Sequence, residues 1–78
     1  MGNNEDYYTN KINCNPYNKD FYIERADYYR QVGNKKGALD DYTKAIELDK
    51  NNYVAYYKRG DAYSDIGKLE EALEDYTT

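Results

Sequence analysis

The chain is 78 residues long, enough for one small domain whose core is only marginally large. Eleven Lys and Arg stand against 15 Asp and Glu, a net charge of −4. That balance argues against nucleic acid and anionic membranes as partners, because both select a basic surface.

The first segment, DYYTNKINCNPYN at residues 6–18, predicts a helix over 6–15 that stops ahead of Pro16, which cannot continue it. Next, Tyr22, Ala26 and Tyr29 fall at i, i+4 and i+7, one face of a helix expected over 20–32. Gly33 in QVGNKK closes it, since glycine readily takes the left-handed conformation of a helix end. Ala38, Tyr42 and Ala45 repeat the same spacing in a helix expected over 36–49, and the turn-prone DKNN at 49–52 ends that one. A helix over 53–66, a second glycine turn at Gly67 and a last helix over 69–77 complete the order.

The last two pairs of helices are one unit written twice. Laying Lys19–Lys44 over Tyr53–Thr78 makes ten of 26 pairs identical, among them Tyr22/Tyr56, Arg25/Arg59, Asp27/Asp61, Gly33/Gly67, Ala38/Ala72, Asp41/Asp75 and Tyr42/Tyr76. The first segment is a partial third copy, with Tyr8 over Tyr42, Thr9 over Thr43 and Ile12 over Ile46. Asn4 stands where that copy should carry its alanine, so the first residues are expected to fray. A fixed period in this range marks a stacked repeat, each unit burying its apolar face on the next. Ala26/Gly60 and Ala38/Ala72 are small where two antiparallel helices touch.

This pattern resembles the tetratricopeptide repeat, whose motif runs W-x2-L-G-x2-Y, then A-x3-F, then P. The chain reads Tyr22-x2-Arg25-Ala26-x2-Tyr29 and Ala38-x3-Tyr42, then Tyr56-x2-Arg59-Gly60-x2-Tyr63 and Ala72-x3-Tyr76. Arg25 and Arg59 replace leucine, Lys50 replaces the proline, and Gly37 lies in the first turn of a helix at a cost of up to about 1 kcal/mol. The resemblance implies an all-α fold, a right-handed superhelical stack of antiparallel helix pairs. Its units would be residues 1–18 (the second helix of a partial repeat), 19–52 (a full repeat) and 53–78 (a shortened one).

Catalytic chemistry finds little footing. There is no histidine, a single serine (Ser64), and one cysteine without an imidazole to activate it. No zinc-type or phosphate-loop spacing is present, and the EF-hand-like start at Asp49 and Asn51 fails where Tyr53 and Val54 replace a ligand and the glycine. Neither enzyme activity, nor a cofactor, nor a metal is expected. Cys14 aligns with Leu48 and is expected to pack. Tyr22, Tyr29, Tyr42, Tyr56, Tyr63 and Tyr76 are assigned to the core, whereas Tyr57 should point outward as an aromatic ligand contact. Arg25 with Asp41 and Arg59 with Asp75 recur at one offset, which favours a cross-helix ion pair over anion binding.

The resemblance further implies a protein-interaction module whose concave face is lined by the first helix of each repeat. Carried over, the lining is Asp20, Ile23, Glu24, Asp27, Arg30 and Gln31, then Val54, Tyr57, Lys58, Asp61, Ser64 and Asp65. Five acids against two bases make that groove mildly acidic and suited to a basic or mixed-charge peptide or partner helix. Relatives that grip the acidic C-terminal tails of heat-shock chaperones carry Lys and Asn on the first groove helix and Asn on the second. Ile23, Asp27 and Lys58 stand there instead, so that ligand is not expected. The competing reading is a structural unit that stacks head to tail through Ala72, Leu73 and Tyr76 at one end and Tyr8 and Ile12 at the other. The chain reads as a piece of a longer repeat protein. With no membrane span, no leader-like block after Met1 and no internal disulfide, a cytoplasmic setting is expected.

Overall fold

Five helices lie within residues 4–77, the part of the chain described by a computed structural model. They are α1 (Asn4–Cys14), α2 (Lys19–Gln31), α3 (Lys35–Leu48), α4 (Tyr53–Asp65) and α5 (Leu69–Tyr76). Each lies within a residue or two of its expected span. The position expected to fray, Asn4, is the first residue of α1; residues 1–3 and Thr78 of the terminal units lie outside the described residues.

Local chemistry sets the helix ends. Asn18, Asn34 and Asn52 are N-caps whose side-chain oxygens accept from the backbone N–H groups of Asp20, Gly37 and Ala55. At α5 the corresponding residue is Lys68, which makes no side-chain cap. The C-termini of α2 and α4 share another device. Gly33 and Gly67 hold φ of +86° and +77°, and the next residue's N–H reaches back to the carbonyls of Tyr29 and Tyr63 at 2.8 and 2.9 Å. These two closures are Schellman turns, which ordinary side chains strain to adopt. Gly37 has its own reason. A Cβ there would stand 2.7 Å from the Asn34 amide nitrogen and 2.9 Å from the Tyr29 ring, so glycine leaves room for both the cap and the ring.

The helices pack in chain order, α1 on α2, α2 on α3, α3 on α4 and α4 on α5, in a slab of 38 × 25 × 13 Å. The core is built from alanines opposite tyrosines: Ala26, Ala38, Ala45, Ala55 and Ala62 are buried with Tyr22, Tyr29, Tyr42, Ile12, Ile23 and Ile46. Small residues bring the backbones close, and the rings fill the volume between them. Polar tips stay satisfied, since Tyr22 donates to the Pro16 carbonyl and Tyr29 to Glu5, both at 2.8 Å.

Three expectations need correcting. Tyr56 and Tyr63 are only half-buried and Tyr76 is 41% exposed, because among the described residues no helix packs beyond α4 and α5 as α4 packs beyond α2 and α3. Cys14 is exposed: it closes α1, which no preceding helix covers among the described residues. Conversely, Ile12 and Ala72 are buried, each closed off by its own neighbouring helix.

The arginine–aspartate pairs are as read. Arg25 donates from Nε and Nη2 to the two Asp41 oxygens at 2.6 and 2.8 Å, and Arg59 to Asp75 at 2.9 and 2.8 Å. The remaining Nη1 of each reaches the previous helix, at Thr9 Oγ1 (3.2 Å) and Thr43 Oγ1 (3.3 Å). One guanidinium therefore ties three helices. With every arm engaged inside the fold, it serves structure rather than anion capture.

Candidate functional site

Helices α2 and α4 lie side by side and are bridged by charge. Lys58 donates to Asp27 at 2.7 Å, while Arg30 reaches Asp65 at 2.9 Å and Asp61 at 4.0 Å. Asp27 also accepts from the Tyr42 hydroxyl, and Asp61 from that of Tyr76, one bond inside each helix pair. Burial first, then the bond to Asp27, pushes the Tyr42 hydroxyl well above the usual tyrosine range. Tyr76 is raised chiefly by its bond to Asp61. Outside the pair, Lys11 of α1 donates to Glu24 at 2.6 Å, and that bond raises its pKa.

The twelve residues assigned to the groove therefore separate. Asp20, Gln31, Val54, Tyr57, Ser64 and Asp65 are exposed; Glu24, Asp27, Arg30, Lys58 and Asp61 are half-buried and bound to one another or to neighbours. Ile23 does not line the face, since it is 9% exposed and belongs to the core. Glu24, Asp27 and Asp65 each have a cation of this chain within 3 Å, whereas Asp20 has no ion pair among the described residues. Of the cations that meet these acids, Arg30 and Lys58 are among the twelve and Lys11 of α1 is a third. What remains is a mixed, alternating surface.

Tyr57 points outward as expected and packs on Tyr76 with ring centroids 5.4 Å apart. Around it lies an open, mainly apolar cleft of about 350 Å³ lined by Tyr53, Val54, Tyr56, Tyr57, Lys58, Asp75 and Tyr76. Sequence reasoning missed three features here: the Asp27–Tyr42 and Asp61–Tyr76 bonds, the threonine arm of each arginine, and the α5 contribution to the cleft. The first two had a signal, because Asp27, Tyr42 and Thr43 all recur unchanged 34 positions later. Among the described residues no three potential metal ligands gather, and no helix is long and apolar enough to cross a membrane.

Antiparallel helix pairs repeated at a fixed period, with a charged face bridging one pair to the next, define an α-helical repeat scaffold. Family models of the tetratricopeptide repeat match residues 20–52 and residues 41–74, together running from α2 into α5. The chain belongs to the tetratricopeptide repeat family, whose members generally serve as non-catalytic interaction or scaffold modules. It matches no curated protein.

Proposed function

We propose that the chain is a protein-interaction module that holds a short mixed-charge peptide or partner helix along the α2–α4 face. The observation behind this reading is Tyr57, 61% exposed beside the Lys58–Asp27 bridge. A rigid aromatic next to fixed charges of both signs is what peptide recognition uses, one anchor for area and polar neighbours for register. Because Asp27, Glu24 and Asp65 already have cations, a ligand of mixed sign suits the face better than a purely basic one. Acidic tails of the heat-shock-chaperone type would meet Asp27 and Asp61, and are excluded from the proposal. So are nucleic acid and membrane surfaces, given the net charge of −4. The proposal includes no reaction and no cofactor. It keeps residues 1–18, 19–52 and 53–78 as the repeat units and a cytoplasmic setting for the lone thiol.

Head-to-tail stacking of copies, through Ala72, Leu73 and Tyr76 at one end and Tyr8 and Ile12 at the other, is the competing reading. Burial weighs against it, since Ala72 and Ile12 are already covered within the chain.

Fluorescence anisotropy with mixed-charge, basic and acidic peptides at two salt concentrations tests the proposal. Mixed-charge peptides should bind best, and Tyr57→Ala should weaken them about tenfold without changing the melting temperature. Equal binding of acidic peptides, or no effect of Tyr57→Ala, overturns it.

A further inference from the structure

The repeat supplies its own control for one surface. Tyr42 is 0% exposed and its copy Tyr76 is 41%; Ile23 is 9% exposed and its copy Tyr57 is 61%. Leu39 packs against the core, while Leu73 is 62% exposed. The element packed beyond the first pair is α4, so the surface of α4 and α5 has the shape that α2 and α3 present to a helix. Leu69, Leu73 and Tyr76 run at i, i+4 and i+7 along α5, and with Tyr57 they form one apolar stripe.

What α4 brings to the first pair defines the chemistry of an occupant. Its consecutive Lys58 and Arg59 bind Asp27 at 2.7 Å and Thr43 at 3.3 Å. The matching groups on the second pair are Asp61 and Thr77. The Thr77 hydroxyl donates to the carbonyls of Leu73 and Glu74 and keeps lone pairs that can accept. The field agrees, since α5 carries four acids and no base in LEEALEDY. Finally, Ser64 replaces Arg30, so an occupant has no cation to meet there and needs no acid at the positions of Asp61 and Asp65.

We infer that the α4–α5 surface docks an amphipathic helix of another protein, one with an apolar stripe and an adjacent Lys-Arg pair. A second copy fits poorly: its α2 would set Glu24 against Asp61, and its α4 already uses Lys58 and Arg59 internally. This surface shares Tyr57 and Asp61 with the groove reading and differs from it by Leu69 and Leu73 of α5, which are no part of the α2–α4 face.

The test uses the 78-residue protein and a labelled synthetic helix with the sequence of α4, residues 53–65, carrying Gly60→Ala to hold its helicity. The helix should bind saturably, and Lys58→Glu with Arg59→Glu in the peptide should weaken it at least about tenfold. Leu73→Glu in the protein should do the same at an unchanged melting temperature, while Val32→Glu, at the far end of α2, should have no effect. Binding indifferent to both the charge reversal and Leu73→Glu overturns the inference. So does sedimentation of the protein alone as a dimer that Leu73→Glu dissolves, which would assign the surface to a second copy. Mixed-charge peptides indifferent to Tyr57→Ala, with this helix still sensitive to Leu73→Glu, would sink the proposed groove alone.

Discussion

Replacing Arg25 by leucine is the sharpest test of how the repeats are held. The guanidinium gives two bonds to Asp41 and one to Thr9, and the side chains of the pair are 19% and 7% exposed. Removing one partner of a buried pair costs about 3–5 kcal/mol, mostly because the other charge stays behind without compensation. Arg25 keeps some solvent contact, so we expect about 2–4 kcal/mol. A domain of this length has a total stability of about 4–12 kcal/mol, so the loss is a large share of it. At about 4–8 °C per kcal/mol, the melting temperature should fall by about 8–32 °C. Urea unfolding followed by circular dichroism, with a slope of about 1 kcal/mol per molar, should show a midpoint lower by about 2 M or more.

Two further variants give the number its meaning. Lys36 is highly exposed and pairs with Asp40 one turn away, so Lys36→Leu should cost under about 0.5 kcal/mol. Arg25→Leu combined with Asp41→Leu should recover much of the loss, since an apolar pair of similar volume no longer strands a charge. The double-mutant cycle should yield a coupling of about 2 kcal/mol. If Arg25→Leu costs no more than Lys36→Leu, or the coupling is within error of zero, the three-helix tie does not hold the repeats together.

Ala38, fully buried against α2, leaves no space for a larger side chain, so Ala38→Leu should destabilise by about 1–3 kcal/mol in the same urea assay. Lys68 is the helix start without a side-chain cap, and Lys68→Asn should copy Asn34 and stabilise by about 1 kcal/mol, read as a higher urea midpoint. Burial raises the pKa of the Tyr42 and Tyr29 hydroxyls in the fold, with bonds to Asp27 and Glu5 adding to it. A raised folded value means the stabilisation is intact below the unfolded value near 10 and is lost as pH climbs through the folded one. Melting temperature should therefore be insensitive to these groups up to about pH 9 and fall above about pH 10, less steeply in Tyr42→Phe.

Most of the fold was legible in the sequence because the period repeats the rules that make it. Tyrosine and alanine at helical spacing and glycine at each turn state the same instruction twice, and every helix follows it. The site was harder to read, for a physical reason. Burial depends on what lies beyond a residue, and position in the motif does not report it. Tyr76 and Tyr42 occupy the same place in their copies, yet one is half open because no further helix covers it among the described residues. Cys14 was misread in the same way, by alignment to Leu48 and without regard to the end of the stack. The groove count left out one cation from outside the two groove helices, Lys11 of α1, which binds Glu24.

Seven of the ten identities between the two copies sort into close approaches, turns and polar ties. Ala38/Ala72 are the close approaches and Gly33/Gly67 the turns. Arg25, Asp27, Asp41, Tyr42 and Thr43, with their copies, are the residues of the polar ties, except that Thr77 meets only backbone carbonyls. Structure thus accounts for most of the positions that stay the same. Among the positions that change between copies, Asp20/Val54, Glu24/Lys58, Arg30/Ser64 and Gln31/Asp65 lie along the α2–α4 face, and Ile23/Tyr57 passes from core to surface. A scaffold that fixes its frame with recurring bonds leaves those sites free to differ at little cost to stability. In a repeat protein, the place where the copies disagree is where recognition can be written, and here that place carries the exposed Tyr57.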